Sequence, residues 1–430
     1  MKYHPIDNTL FIKNRKKFMA QMKPKSIAVF NSNDIYPISA DSGMPFQQHR
    51  DIFYLSGIDQ EESMLLLFPD AHKEKHREVL FLKETNEHIA VWEGAKLNKE
   101  EAFRVSGIKT VYWLQDLEKV FYEIMADCDT VYVNTNEHYR AKVETQTRED
   151  RFTLWWKSKY PAHSVAKSNP ILQRLRSVKD PIEIDLIQTA CNITEKGFRR
   201  VLPFLKPGVW EYNLEAELLH EFINNRSRGF AYTPIIASGN NANILHYTEN
   251  NQQCKEGELV LLDTAAEYAN YSSDLTRTIP VSGRFTQRQK EVYQAVLAVK
   301  KEATAMLVPG TIWEDYHVEV GKLMTSQLLA LKLLDKADIQ NENPEWPAYK
   351  QYFMHGTSHH IGLDTHDYGL LAEPMQANMV FTVEPGIYIP EEGFGIRLED
   401  DVVIQEKGNP INLMKNIPIE AEEIEELMNA

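Results

Sequence analysis

Two stretches in the second half of the chain place acidic residues on both sides of a turn, and they constrain the fold most strongly. Asp263 and Asp274 lie in strand-like runs that flank the residues YAN at 268–270. Reflection about a centre between Tyr268 and Ala269 predicts that the two aspartates face each other across a hairpin. Cross-strand neighbours have Cβ atoms about 4.5–5.5 Å apart, so a proton or a cation must offset the repulsion between these two charges.

A second hairpin repeats this arrangement. Glu384 ends the run MVFTVE, Glu399 lies in GIRLEDD, and the turn PEEG at 390–393 lies midway between them. The run LVLL before Asp263 also predicts a buried strand, where an unpaired carboxylate would be costly. Acidic residues of a single hairpin are usually just solvated, but two such pairs with a histidine-rich segment between them favour a metal site.

Four carboxylates carry four negative charges, which two divalent metal ions would neutralise. Oxygen-rich ligands with one or two imidazoles suit Mn²⁺ best, with Zn²⁺, Co²⁺ or Fe²⁺ as alternatives. Two ions about 3.5–4 Å apart would activate a bridging hydroxide and polarise a carbonyl group. The sequence therefore predicts a hydrolytic centre with two divalent metal ions.

The segment HGTSHHIGLDTHD holds four of the fourteen histidines of the chain, namely His355, His359, His360 and His366. The first two have the spacing of the zinc motif HExxH, but glycine follows the first histidine, so that motif is absent. A lone histidine is more often structural than a ligand. A cluster close to carboxylates predicts that some of these rings bind metal, move protons or hold an oxyanion. His246, in NANILHYTEN, is a fifth candidate.

Composition excludes several classes of protein. The chain has 430 residues and a net charge of −15, which argues against a nucleic-acid or anionic-membrane partner. The cysteines are few, widely spaced and without a CxxC pair, so neither a disulfide framework nor a thiolate zinc site is predicted. They are Cys128, Cys191 and Cys254. Without a signal-peptide pattern or a long apolar run, we expect a cytoplasmic protein.

The length predicts two domains. The first part alternates helical runs with short apolar strands, which predicts an α/β domain over residues 1–172. A marked helix start follows, in which Asp180 can cap the helix, Pro181 suits its first position and Glu183 completes a capping box. Helices combined with hairpins then predict an α+β domain over residues 173–430.

Several segments carry a resemblance to a known family. LLDTAAEYANYSSDLTRT, HGTSHHIGLDTHD, FTVEPGIYI and GIRLEDD resemble the signature segments of the pita-bread metallopeptidases, which include aminopeptidase P, prolidase and methionine aminopeptidase. They follow the family's order within residues 175–410. The segment at 40–68 resembles the N-terminal domain of aminopeptidase P. The resemblance implies an α/β N-terminal domain followed by an α+β pita-bread catalytic domain of the creatinase/aminopeptidase type.

The same resemblance implies a set of metal ligands. It makes Asp263 and Asp274 ligands of one metal ion, and the second ion would be bound by Asp274, His359, Glu384 and Glu399. Asp274 and Glu399 would bridge the two ions. Glu384 would also accept the proton of the nucleophile.

Other residues resemble parts of the substrate pocket. His246, His355 and His366 match pocket histidines that take part in catalysis and substrate binding. Arg397 matches an arginine that could orient a carboxylate or relay a proton, although an ion pair with a neighbour would also account for it. His360 occupies a variable position, and we expect it to be structural.

The resemblance predicts a proline-specific aminopeptidase, a metalloprotease that releases the first residue of peptides with proline in the second position. A prolidase that cleaves only Xaa-Pro dipeptides is the nearest alternative, and a catalytically silent peptide-binding protein is an alternative of another class. We expect a homodimer or homotetramer, in which the N-terminal domain of a neighbouring subunit helps to complete the pocket. Asp41 and Trp92 are the candidates there, although a turn residue and a core aromatic would look the same.

Overall fold

The computed structural model describes residues 3–141 and 143–430. The chain divides into two compact units, Tyr3–Leu175 and Arg176–Ala430. Within the described residues, no helix is both long enough and apolar enough to cross a membrane. The cysteines are buried free thiols.

A mixed sheet forms the centre of the first unit. Up to residue 177 the strands are β1 (Ser26–Asn31), β2 (Pro37–Ser39), β3 (Ser42–Gly43), β4 (Ser63–Leu67), β5 (Glu78–Leu82), β6 (Thr110–Trp113), β7 (Thr130–Val133) and β8 (Ser164–Lys167). The helices are α1 (Thr9–Met19), α2 (Arg50–Ser56), α3 (Glu87–Glu93), α4 (Lys99–Ser106), α5 (Leu117–Ile124), α6 (Arg148–Lys159) and α7 (Asn169–Ser177). In the described part of the chain, the sheet order is β6-β5-β4-β1-β7-β8.

The predicted α/β character of this unit is confirmed by how its central strands are covered. Every residue of β1 and β4 is buried. On one face of β1, Ile27 and Val29 join a core with Trp156 of α6. On the other face, Phe30 packs edge-on against Phe18 of α1, with ring centroids 5.3 Å apart. Helices therefore cover both faces, which explains why these strands are apolar throughout.

The second unit combines helices with short antiparallel ladders. Its helices are α8 (Pro181–Phe204), α9 (Glu211–Asn224), α10 (Gln287–Ala305), α11 (Trp313–Ala330), α12 (Lys336–Gln340) and α13 (Ala421–Met428). Its strands are β9 (Ile235–Ser238), β10 (Leu259–Asp263), β11 (Glu267–Tyr268), β12 (Tyr271–Ser272), β13 (Thr276–Pro280), β14 (Val380–Val383), β15 (Gly386–Ile389), β16 (Phe394–Arg397), β17 (Asp400–Val403) and β18 (Ile411–Asn412). The helix start predicted at Asp180 is confirmed, because Asp180 and Glu183 form the reciprocal capping box of α8.

The first carboxylate hairpin differs from its predicted register by two residues. Asp263 lies opposite Thr276 and not opposite Asp274, because the turn is centred between Ala269 and Asn270. These two residues have φ of +53° and +69°, as a two-residue type I′ turn requires. Asp274 is therefore a diagonal neighbour of Asp263, close enough for the two charges to repel each other.

The second carboxylate hairpin has the predicted register. The ladders β15–β16 and β14–β17 share one register, which continues through the gap between them and places Glu384 opposite Glu399. Pro385 lies in this gap. Its carbonyl accepts a hydrogen bond from the Leu398 N–H at 3.2 Å, but proline has no N–H to form the second bond of this pair, which interrupts the ladder. Both glutamates therefore lie where one ladder ends and the next begins.

Candidate metal centre

The two hairpins and the histidine-rich segment bring the five predicted metal ligands together. Ligand atoms of Asp274, His359 and Glu399 all lie within 4.8 Å of one another. The Nε2 atom of His359 lies 3.4 Å from Asp274 Oδ2 and 3.6 Å from Glu384 Oε1. Asp263 ends β10 beside this group, within range of electrostatic repulsion by Asp274. One imidazole and four carboxylates therefore share a small volume.

A backbone contact determines which nitrogen of His359 faces the carboxylates. Its Nδ1 lies 3.0 Å from the carbonyl oxygen of His360. A carbonyl oxygen can only accept, so we assign the ring proton to Nδ1. Nε2 then directs its lone pair toward Asp274 and Glu384. A hydrogen bond from the far nitrogen fixes the tautomer and the ring orientation of metal-binding histidines in this way.

Arg397 joins the carboxylates to two more polar side chains. Its Nη2 donates to Asp263 Oδ2 at 2.6 Å, and its Nη1 donates to the Tyr388 hydroxyl at 2.8 Å. That hydroxyl lies 2.7 Å from His355 Nε2. Because His355 Nδ1 faces the carbonyl oxygen of Gly356 at 2.8 Å and must donate to it, Nε2 accepts from Tyr388. The ion pair considered for Arg397 is present, and it continues as a chain of hydrogen bonds to His355.

The charges of these carboxylates are poorly compensated by the protein alone. Burial raises the pKa of Asp274 well above its ordinary value, and the charge of Asp263 raises it further. Burial and the charge of Asp274 likewise raise the pKa of Glu399. Burial raises the pKa of Glu384 to about 7. Each raised pKa means that the anionic form is destabilised, and a nearby cation would stabilise it.

The donor set fits divalent metal ions. The Oδ1 atom of Asp263 is buried and has no hydrogen-bond partner among the described residues. Carboxylate oxygens with a single imidazole nitrogen are ligands that Mn²⁺ and related ions accept. The Thr276 hydroxyl donates to Glu399 Oε2 at 2.6 Å, as outer partners of ligating carboxylates do. The site therefore has the chemistry of a metal centre in both its ligands and their supports.

The remaining histidines approach this group to different extents. His355 Nδ1 lies 3.7 Å from Glu384 Oε2. His366 packs edge-on against His359, with ring centroids 4.3 Å apart. His246 is exposed and lies within electrostatic range of His355. Burial and the charge of Arg397 lower the pKa of His355 to about 3. His355 is therefore neutral at physiological pH.

His360 has a buried ring that belongs to the core. It stacks on Trp313, with ring centroids 6.3 Å apart and 11° between the planes, and it lies 4.2 Å from the ring of Phe381. The structural role expected for this ring agrees with these contacts. Its carbonyl oxygen nevertheless matters to the site, because it orients His359.

The two pocket candidates of the N-terminal unit are both exposed. Asp41 lies in the tight turn between β2 and β3, as the alternative interpretation of Asp41 as a turn residue predicts. Trp92 lies on α3 with 80% of its surface exposed. A core aromatic is therefore excluded for Trp92.

Sequence reasoning missed two polar residues of this site. Tyr388 lies in the same hairpin as Glu384, four positions further along. Because alternate residues of a strand share one face, the sequence could have placed Tyr388 on the same face as Glu384. Thr276 could be placed beside Asp263 only with the correct turn centre, and that centre depends on positive φ at Ala269, which the residue type does not indicate.

Comparison with known proteins agrees with both units. A family model described as metallopeptidase family M24 matches residues 185–406, and one described as aminopeptidase P, N-terminal domain, matches residues 11–132. Xaa-Pro aminopeptidase of Escherichia coli is 35% identical over 99% of this chain and 98% of its own length. Human Xaa-Pro aminopeptidase 3 is 33% identical over 96% of this chain and 83% of its own length.

Solved structures show the same similarity. Aminopeptidase PepP of Pseudomonas aeruginosa superimposes with a TM-score of 0.89 at 30% identity, covering 99% of this chain and 98% of that chain. Zinc-substituted E. coli aminopeptidase P in complex with product superimposes with a TM-score of 0.86 at 33% identity, covering 99% of each chain.

Proposed function

Because the chain belongs to metallopeptidase family M24 and to the Xaa-Pro aminopeptidases within it, we propose that it removes the first residue of Xaa-Pro peptides with two divalent metal ions. Mn²⁺ is the ion that we expect. The proposed ligands are Asp263, Asp274, His359, Glu384 and Glu399. The observation that carries the proposal is the group of four buried or partly buried carboxylates, whose charge exceeds that of Arg397, the guanidinium that donates to Asp263.

Two divalent ions bound by these residues would supply a hydroxide nucleophile at neutral pH and a Lewis acid for the scissile carbonyl. Ligand atoms of Asp274, His359 and Glu399 lie within 4.8 Å of one another, which supports the proposal that these three residues would bind the same ion. Thr276 holds Glu399 and Arg397 holds Asp263 through hydrogen bonds to one carboxylate oxygen each. The opposite oxygen of each residue is left for a ligand.

Glu384 is the residue proposed to move a proton. Its Oε1 lies 3.6 Å from His359 Nε2 and its Oε2 lies 3.7 Å from His355 Nδ1. A carboxylate in this position can accept the proton of the nucleophile and pass it to the departing proline nitrogen. His355 is oriented by Tyr388 and stays neutral, and we propose that its ring, whose two nitrogens have partners within the protein, lines the substrate pocket. His246 and His366 are the other residues proposed to contact the peptide.

The bond before proline sets a particular task. It is a tertiary amide, and the proline nitrogen carries no hydrogen that an enzyme could bind. As in the hydrolysis of any amide, the nitrogen that leaves must gain a proton as the bond breaks. A carboxylate that first collects a proton and then releases it, as proposed for Glu384, meets this requirement.

A substrate-length series tests the proposal against prolidase. We expect the metal-loaded protein to release the first residue from Xaa-Pro-Yaa and from longer Xaa-Pro peptides, with no cleavage when alanine replaces proline. Cleavage of Xaa-Pro dipeptides alone would establish prolidase in its place. A silent binding protein would bind peptides without cleaving any, and the complete set of five ligand residues argues against it.

Metal analysis tests the centre itself. We expect two divalent ions per chain in the purified protein and a lower stoichiometry after His359→Gln. Arg200→Lys is a suitable control, because Arg200 pairs with Glu217 at the surface, with Nε and Oε2 2.5 Å apart. Full peptidase activity without bound metal would overturn the dinuclear mechanism.

We further propose a homodimer or homotetramer in which Asp41 and Trp92 of one subunit reach the pocket of another. The exposure of Trp92 leaves its side chain accessible to a neighbouring subunit, as the proposal requires. Trp92→Ala is expected to raise KM and leave the metal content unchanged. Tyr122→Ala is the matched control, because Tyr122 is 81% exposed on α5 of the same unit. A monomer in sedimentation, with KM unaffected by Trp92→Ala, would contradict this proposal.

A further inference from the structure

A buried cluster of charges lies beside the histidine-rich segment, and the proposed function makes no use of it. Lys179 Nζ donates to Asp367 Oδ2 at 2.8 Å, and Arg176 Nη2 donates to Asp367 Oδ1 at 2.5 Å. The side chains of all three residues are at most 2% exposed. Charges so deeply buried are tolerated only when they are paired and well oriented. The cluster therefore allows little freedom to its members.

Arg176 also contacts the other end of the loop that carries His366. The same Nη2 donates to Asp364 Oδ2 at 2.6 Å. The guanidinium group lies against the ring of Tyr368, 4.7 Å from its centroid. One arginine thus holds Asp364 and Asp367, the residues on both sides of the short segment with His366.

The cluster is connected to His359 through one carbonyl oxygen. The backbone N–H of Asp367 donates to the oxygen of His360 at 2.9 Å, and His359 Nδ1 donates to the same oxygen at 3.0 Å. Gly362 packs closely against Asp367, because a Cβ at this position would lie 2.2 Å from Asp367 Oδ2. A displacement of Asp367 must therefore disturb the carbonyl group that orients His359.

We propose that Arg176 and Lys179 are positioning residues, which hold Asp364 and Asp367 so that His366 faces the substrate and His359 presents Nε2 to the metal. This inference rests on the proposed function for the roles of the two histidines. Arg176 is the more specific of the two cations, because a planar guanidinium can bind two carboxylates at fixed angles, whereas an ammonium acts as a point charge.

The first experiment is a double-mutant cycle between Arg176 and His366. We expect Arg176→Lys to lower kcat/KM for an Xaa-Pro-Yaa peptide about 10–100-fold, as loss of an outer-shell partner does. In a His366→Ala background the same substitution should lower it much less, since coupled residues are not additive. Equal losses in both backgrounds would overturn the inference for His366. The matched control Arg200→Lys should leave kcat/KM unchanged.

The second experiment needs no catalysis. The ¹⁵N chemical shifts of the His359 ring in the metal-free protein should show the Nδ1-protonated tautomer, and Arg176→Lys should convert it to a mixture. Unchanged shifts would overturn the inference for His359. If Arg176→Lys does not fold, Asp364→Asn is the substitute, because that side chain is 45% exposed and its loss leaves the buried pair intact. A wild-type protein inactive on every Xaa-Pro peptide would refute the proposed function, while the ring shifts would still test the positioning.

Discussion

The second unit contains two kinds of buried carboxylate, and they differ in what lies next to them. Asp400 accepts from Arg277 Nη2 at 2.6 Å and from the Lys300 ammonium group. Burial alone would raise its pKa, but the two cations hold the pKa of Asp400 below its ordinary value. Asp274 and Glu399 are as deeply buried, yet other carboxylates are their neighbours and their pKa values are raised. Burial alone therefore does not distinguish a structural carboxylate from a candidate ligand.

The two kinds meet at adjacent residues of the chain. Glu399 and Asp400 are consecutive, and successive side chains of an extended chain point to opposite sides. Glu399 faces the carboxylates of the candidate metal centre, and Asp400 faces the basic residues Arg277 and Lys300. The presence of nearby cations therefore decides the role of a buried carboxylate, and four measurements test this distinction.

The largest effect on stability is expected when a buried carboxylate that is paired with cations loses its charge. Asp400→Asn would leave the charges of Arg277 and Lys300 buried without a carboxylate partner. Removing one member of a buried ion pair costs about 3–5 kcal/mol of the free energy of unfolding, and urea denaturation would measure it. A loss below about 1 kcal/mol, as for a surface pair, would show that Asp400 is not structural in this sense.

For a buried carboxylate whose neighbours are other carboxylates, substitution should lower activity without lowering stability. Asp274→Asn should lower kcat/KM at least about 100-fold, since even outer-shell partners of a metal cost 10–100-fold. In the presence of a chelator the same variant should be as stable as the wild type or more stable, because one repulsive charge is gone. A destabilised metal-free variant would contradict the distinction between the two types.

The pH dependence of stability should reveal the charge of Glu384 when wild type is compared with Glu384→Gln. Burial raises the pKa of Glu384 from 4.5 to about 7, so this side chain binds a proton more tightly in the folded metal-free protein than in the unfolded chain. This contribution is complete below pH 4.5 and is lost as the pH rises to 7. Buried His355, whose pKa is lowered to about 3, acts in the opposite direction in both proteins. The Tm of chelated wild type, relative to that of Glu384→Gln, should therefore fall over this range. A relative Tm that rises instead would show that Glu384 is compensated within the protein.

The smallest effect is expected at an exposed pair. Glu392 accepts from Arg288 Nη2 at 2.7 Å, and both side chains are about one-third exposed. Solvent screens such pairs, so Glu392→Gln should cost less than about 1 kcal/mol. Chemical denaturation of Glu392→Gln, measured together with Asp400→Asn, gives the free energy of unfolding for the comparison. A cost equal to that of Asp400→Asn would mean that burial does not govern these energies.

The sequence predicted local features well when a residue type dictates them. Asp180 and Pro181 mark the start of α8. The turn PEEG at 390–393 correctly predicted that Glu384 lies opposite Glu399. The predicted register of the first hairpin was wrong by two residues. Its turn requires a positive φ at Ala269, and an alanine does not indicate such a turn as a glycine would. Local signals thus predict a register only where the turn residues are characteristic of the turn.

Contacts between distant residues could not be predicted. Arg176 and Asp367 are 191 positions apart, and no periodicity connects them. The chain of hydrogen bonds from Asp263 to Tyr388 likewise joins separate hairpins. The family resemblance could suggest the five ligands, but the residues that orient them follow from packing, which only the structure provides.

The buried thiols have a practical consequence for chemical labelling. Burial raises the pKa of Cys128 to about 11 and that of Cys254 to about 12, and it raises the pKa of Cys191 as well. Alkylating reagents attack the thiolate, so the native fold shields all three. Cys128 belongs to the first unit and the other two to the second, and mass spectrometry of alkylated peptides can therefore record the opening of each unit separately. A cysteine introduced at an exposed position such as Tyr122 would accept a fluorophore with little background.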